Sequence, residues 1–144
     1  MKTMKAFVIL GLLLAFAIAL PVARADEANQ ATIVTFSQPV QIPGQVLPAG
    51  TYQFVVVDGF DRQIVRIFNA NRSKVIATMH AVTRQRQQAT SSAAITLAER
   101  GMDQPEAIVA WFYPGRSDGH ELIYSKQEAR ELAQAKQETV VLGD

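Results

Sequence analysis

The chain of 144 residues contains no cysteine. That excludes disulfide bridges, a thiol nucleophile, a lipid on an N-terminal cysteine and any metal site built from thiolates. Histidine is nearly as scarce, and the usual catalytic roles have only His80 and His120 to draw on. A formal net charge of +1 argues against the basic face with which nucleic-acid binders meet phosphates. The spacings H-E-x-x-H, G-x-S-x-G and G-x-G-x-x-G, a Walker loop and an EF-hand loop are all missing, and with them the reactions those motifs support. No internal repeat is present, which excludes a solenoid or propeller.

The hydrophobicity is unevenly placed. Nineteen of the first 25 residues are apolar, and Lys2, Lys5 and Arg24 give that stretch three positive charges. The other 119 residues are about 43 per cent apolar with a net charge of −2. Such a length suits one domain with a modest core and excludes a two-domain enzyme. Within residues 1–25, a basic start leads to an apolar run from Ala6 to Leu20 and then to Ala23-Arg24-Ala25. This is the pattern of a cleaved secretory signal peptide, with Asp26 as the new N-terminus. An uncleaved anchor is the alternative, since the apolar run approaches the roughly 17–25 residues that span a bilayer. Pro21 and the small-residue end favour cleavage, which leaves no stable membrane anchor and a periplasmic or extracellular protein.

Residues 26–144 read as a single β-rich domain. Thr32–Ser37 is β-branched and aromatic, and it leads to residues 39–46, where Pro39 and Pro43 suit an edge strand or extended arm. Leu47-Pro48-Ala49-Gly50 has the form of a type I turn, and the expectation is a hairpin into a strand from Tyr52 to Asp58. Reversals at Gly59–Arg62 and Asn69–Ser73 predict antiparallel neighbours over 52–58, 63–68 and 75–83. A return strand is expected over 94–99. Ala107–Tyr113 is apolar on both faces, with Ile108, Ala110 and Phe112 on one and Val109, Trp111 and Tyr113 on the other, which marks a strand covered on both sides or one lining a groove. After the turn Pro114–Gly119, a strand over 120–124 leads to Ser125-Lys126-Gln127-Glu128, a capping box that opens a helix over 126–137. The fold class is therefore mainly β, an antiparallel β-sandwich or small barrel with one C-terminal α-helix.

Chemistry-bearing residues are few. Asp118, His120 and His80 are the candidates for a metal or acid/base site, because histidine and carboxylate both suit zinc, but the expectation is a polar hairpin loop. Ser117, Asp118 and His120 have the residue types of a triad, yet they crowd one turn where a hydrolase draws on separate segments. His80, between Met79 and Ala81, reads as a hydrogen-bonded core or edge residue. For ligand binding the candidates are Trp111, Tyr113 and Tyr124, which can stack on a sugar or aromatic group, with Arg116 as a polar anchor; the competing reading makes these rings core. Arg84 and Arg86, two residues apart, can turn one face to an anionic surface, but the expectation is a solvated strand end, and Asn71-Arg72-Ser73 is a glycosylation sequon with meaning only in a eukaryotic secretory route.

Four stretches carry a family likeness: Thr35-Phe36-Ser37 with Pro39-Val40, the turn Val46-Leu47-Pro48-Ala49-Gly50-Thr51-Tyr52, the strand Ile64–Asn69, and Ala110-Trp111-Phe112-Tyr113-Pro114-Gly115. In these the chain resembles a group of uncharacterised small exported proteins encoded in acidobacterial genomes. The resemblance implies a bacterial exported protein and transfers no site residue, ligand or reaction.

Three functions remain in view. A non-catalytic exported domain that binds a ligand or an envelope component is the first, with no cofactor and no nucleic acid, and its oligomeric state is left open. The second is a small hydrolytic or metal-dependent enzyme working through Asp118 and His120. A structural protein pairing through the edge strand with Pro39 and Pro43 is the third. Intact mass of the exported product is expected to match a chain starting at Asp26; a product still starting at Met1 would refute the cleavage.

Overall fold

A computed structural model describes residues 31–57 and 63–142. The expected signal peptide and the reversal at Gly59–Arg62 lie outside those residues. Among the described residues the architecture is mainly β, a large open sheet with one helix near the C-terminus, and not a closed barrel. In chain order the strands are β1 (Thr32–Phe36), β2 (Val40–Ile42), β3 (Gln45–Leu47), β4 (Gly50–Val57), β5 (Gln63–Asn69), β6 (Val75–Gln85), β7 (Ala94–Ala98), β8 (Ala107–Phe112) and β9 (Asp118–Leu122). Helix α1 (Lys126–Gln134) and strand β10 (Gln137–Val141) follow.

Alternation of residue type builds the first half. Val34, Tyr52, Phe54, Val65, Ile67, Ala77, Met79 and Ala81 point to the core, while Ile33, Arg66, Thr78 and His80 between them face outward. The expected meander forms, with β4, β5 and β6 pairing antiparallel in that order, and β1 adds to its free side along β4. At the β5–β6 turn Asn69 holds the reversal, its side chain accepting from the Lys74 amide at 3.0 Å and donating to Ser73 Oγ at 2.9 Å. The sequon is thus part of an ordinary turn.

Three expected connections turn out otherwise. Leu47–Gly50 does not close a hairpin: β3 pairs with β2, and β4 with β1 and β5. The segment is a corner between sheet regions, fastened by the Tyr52 hydroxyl, which donates to the Pro48 carbonyl. The hairpin lies one step earlier, between β2 and β3, where Pro43-Gly44 occupies the turn and Gly44 takes the left-handed φ of 85°. Strand β7 does not return along β6, which pairs with β9; β7 lies between β8 and β10. The helix stops at Gln134 rather than Gln137 because the following residues pair with β7, Thr139 Oγ1 meeting Thr96 Oγ1 at 2.9 Å. The Ser125 cap is as expected, its hydroxyl accepting from the Glu128 amide at 3.3 Å.

All six residues of β8 are buried, as a strand covered on both sides requires. Its faces differ from simple alternation. A bulge opposite Thr96 and Leu97 of β7 puts Val109 and Ala110 on the same side. Ile108 and Trp111 therefore enter the main core with Phe54, Ile67 and Ile95, whereas Val109, Ala110 and Phe112 pack beneath Leu132 of α1. Tyr124 touches both clusters and seals the point where β2 meets the start of β8, where the Gln41 amide donates to the Glu106 carbonyl at 2.8 Å.

Gly119 belongs to strand β9 rather than to the turn, and its missing side chain makes room for Phe112. A Cβ there would sit 2.7 Å from the Trp111 carbonyl oxygen and run into the Phe112 ring. Gly119→Ala is expected to destabilise the fold by about 1–3 kcal/mol, read from the urea midpoint; an unchanged midpoint would show that β9 and Phe112 yield freely.

Candidate functional site

The loop after β8 is a braced structure. Arg116 forms a two-pronged pair with Asp118, with both N–H···O distances at 2.9 Å. The guanidinium's hydrogen bonds hold the Asp118 carboxyl below its ordinary range, and the pair raises Arg116 in return. Arg86 braces the loop from β6. It donates to the Arg116 carbonyl at 2.9 Å and to Thr90 Oγ1 at 3.1 Å, and its guanidinium lies 4.7 Å from the centre of the Phe112 ring. Arg84 reaches Gln137 Oε1 at 3.2 Å and Glu121 at 3.8 Å. These arginines are structural ties where a solvated strand end was expected.

His120 is 5 % exposed. Its ring lies 5.2 Å from that of Trp111, and its Nδ1 is hydrogen-bonded to Gln63 Oε1. Burial pushes the imidazole below its ordinary value, an effect the nearby Asp118 charge opposes. His80 is exposed and on the other face of the sheet: His120 pairs with Thr83 on β6, an odd number of residues from His80. The three proposed metal ligands are not brought together, and among the described residues no group of three His, Asp or Glu is placed to hold a metal. In the proposed triad, Asp118 is engaged by Arg116, and the Ser117 carbonyl accepts from the Arg86 amide at 2.8 Å.

The aromatic candidates are also dispersed. Trp111 is fully buried and donates through Nε1 to Thr32 Oγ1 at 3.2 Å. Tyr124 donates to the Ile108 carbonyl at 2.6 Å and lies 3.2 Å from that of Gln41, and burial raises its phenol. Tyr113 is half-buried. It lines a cleft of about 240 Å³ with Thr32, Ser92 and Leu142, which neither of the other two rings nor Arg116 lines, although the Arg116 amide donates to the Tyr113 carbonyl at 3.3 Å.

A larger cleft lies along the same seam. Among the described residues β1 pairs only with β4 and β10 only with β7, so these two strands are open edges of the described sheet. Between them is a cavity of about 380 Å³, within the usual range of ligand sites. Phe36, Val40, Ile95 and Leu97 supply apolar surface, with Val140 and Leu142 from the β10 side. Thr35, Ser37, Gln38 and Glu106 supply polar groups. Sequence reasoning missed this place. Phe36 beside Pro39 was a visible hint of a strand ending at an opening, but the opposite wall belongs to β10, which the helix expectation had covered in part.

Residues 24–113 match the family model described as Protein of unknown function (DUF2911). The match includes β1 through β8 and ends before β9, α1 and β10. No curated protein and no solved structure matches the chain.

The environment of His120 sets a pH dependence. With its folded-state pKa below the ordinary value of 6.5, the unfolded chain takes up the proton first as pH falls. The stability contribution is complete above about pH 6.5 and declines as pH falls from there through the folded-state value, while that of Asp118 declines only as pH falls below its ordinary 3.8. The denaturation midpoint is expected to fall between pH 7.5 and 5.5 in the wild type and to change much less in His120→Gln; an equal fall in both would assign the effect elsewhere.

Proposed function

The chain belongs to the family described as Protein of unknown function (DUF2911), a membership that carries no activity, and we propose that it is an exported, non-catalytic binding domain whose ligand seat is the cleft between β1 and β10. Export rests on the pattern of residues 1–25 and on the likeness to the acidobacterial group. The binding reading rests on one observation, the 380 Å³ cavity that reaches the buried side chains Val40 and Ile95 between two open sheet edges. The cavity lining is divided about evenly between apolar and polar surface, and apolar contact with placed polar groups is how small-molecule sites bind and orient a ligand. By contrast, Asp118 and His120 are both committed to neighbours, which favours binding over hydrolysis.

Fluorescence titration of the purified protein with the neutral apolar probe N-phenyl-1-naphthylamine tests this reading. Saturable one-to-one binding is expected. Leu97→Trp, which fills the cleft, should weaken it about tenfold or more, the scale of a lost apolar contact. Val46→Thr alters an exposed apolar residue outside the cleft and should leave binding as it was. Binding indifferent to the Leu97 change would remove the cleft as the seat.

A further inference from the structure

The cleft is chemically one-sided in charge. Among the described residues Glu106 is the single ionisable side chain on its wall and carries no ion pair. The other polar groups are Thr35 near the end of β1 and Ser37 and Gln38 on the link to β2. Phe36, Ile95 and Leu97 provide an apolar bed with no charge in it. What sets Glu106 apart from the other carboxylates is its place on the cleft wall, beside the apolar side chains Phe36, Ile95 and Leu97.

We propose that the cleft takes a small amphiphilic cation, its apolar body on Phe36, Ile95 and Leu97 and its ammonium or similar head against the Glu106 carboxylate. This rests on the reading of the cleft as a ligand seat and specifies what sits there. A carboxylate accepting from a cation makes one of the stronger hydrogen bonds available to a protein. An anionic amphiphile of the same size would place its head against like charge. Selection by charge is therefore built into the wall, while the apolar bed accepts a range of shapes.

Three compounds with the same chain separate the possibilities: hexylamine, hexan-1-ol and hexanoate, titrated into the ¹⁵N-labelled protein and followed by NMR at Phe36, Leu97 and Glu106. Hexylamine is expected to bind at least about tenfold more tightly than hexanoate, with hexan-1-ol between them. Glu106→Gln should reduce the amine's advantage to less than about threefold, whereas Asp103→Asn, which removes an exposed carboxylate outside the cleft, should retain it. Equal affinity of all three compounds at these residues would overturn the cation proposal and leave the cleft standing as an apolar seat. An advantage that survives Glu106→Gln, or that Asp103→Asn removes as well, would also overturn it. Failure of every compound to perturb Phe36 and Leu97 would overturn both the proposal and the reading beneath it.

Discussion

Burial of Trp111 is the constraint on which most of this structure hangs. The indole lies on β8, is wholly excluded from solvent and donates across the core to Thr32 on β1. Phe54 meets it edge-on at 5.8 Å and His120 tilts against it at 5.2 Å. One side chain thereby joins the meander β1-β4-β5-β6 to the β7-β8-β9 region. In a chain without disulfides this matters more than usual, because packing and backbone pairing must hold the two together. An unpaired indole N–H in such a place would cost about 1–3 kcal/mol, and Thr32 removes that cost.

The same strand shows how a small domain covers both faces of a sheet. The bulge in β8 sends Ile108 and Trp111 inward and turns Val109, Ala110 and Phe112 toward α1. Leu132 is the one buried residue of that helix, so the helix acts as a thin cover over Val109, Ala110 and Phe112 rather than as a second core. Phe112 in turn packs over Gly119 and under Arg86. The basic and acidic residues near the β8–β9 loop are consumed in this bracing, which leaves the seam between β1 and β10 as the place where apolar core surface and polar groups meet at an opening.

Much of the fold was legible because its causes are local. Alternation placed Val34, Phe54, Val65, Ile67 and Met79 on one face, Asn69–Ser73 announced its reversal, and Ser125 with Glu128 marked the helix start. Pairing between distant segments was not legible in the same way. Nothing near Leu47–Gly50 says that β3 will pair backward with β2, and nothing in Ala94–Ala98 distinguishes β6 from β8 as its neighbour. The candidate site suffered most from this. Trp111, Tyr113 and Tyr124 carry the residue types of a binding surface, but the bulge, the Thr32 partner and the backbone carbonyls of Gln41 and Ile108 claim two of the three. Glu106 gave no sign at all, being an ordinary carboxylate until the edges of the sheet place it beside an apolar cavity.

By itself, then, the sequence determined the mainly β character, the absence of thiol chemistry, the helix start and the residues able to form a core, since each depends on side-chain type and short-range spacing. Only the tertiary structure decided the roles of His120 and Asp118, the two faces of β8 and the location of the cleft. Those depend on which edges remain unpaired once the long-range pairings are made, and a single chain carries no local mark of the strand it will lie against.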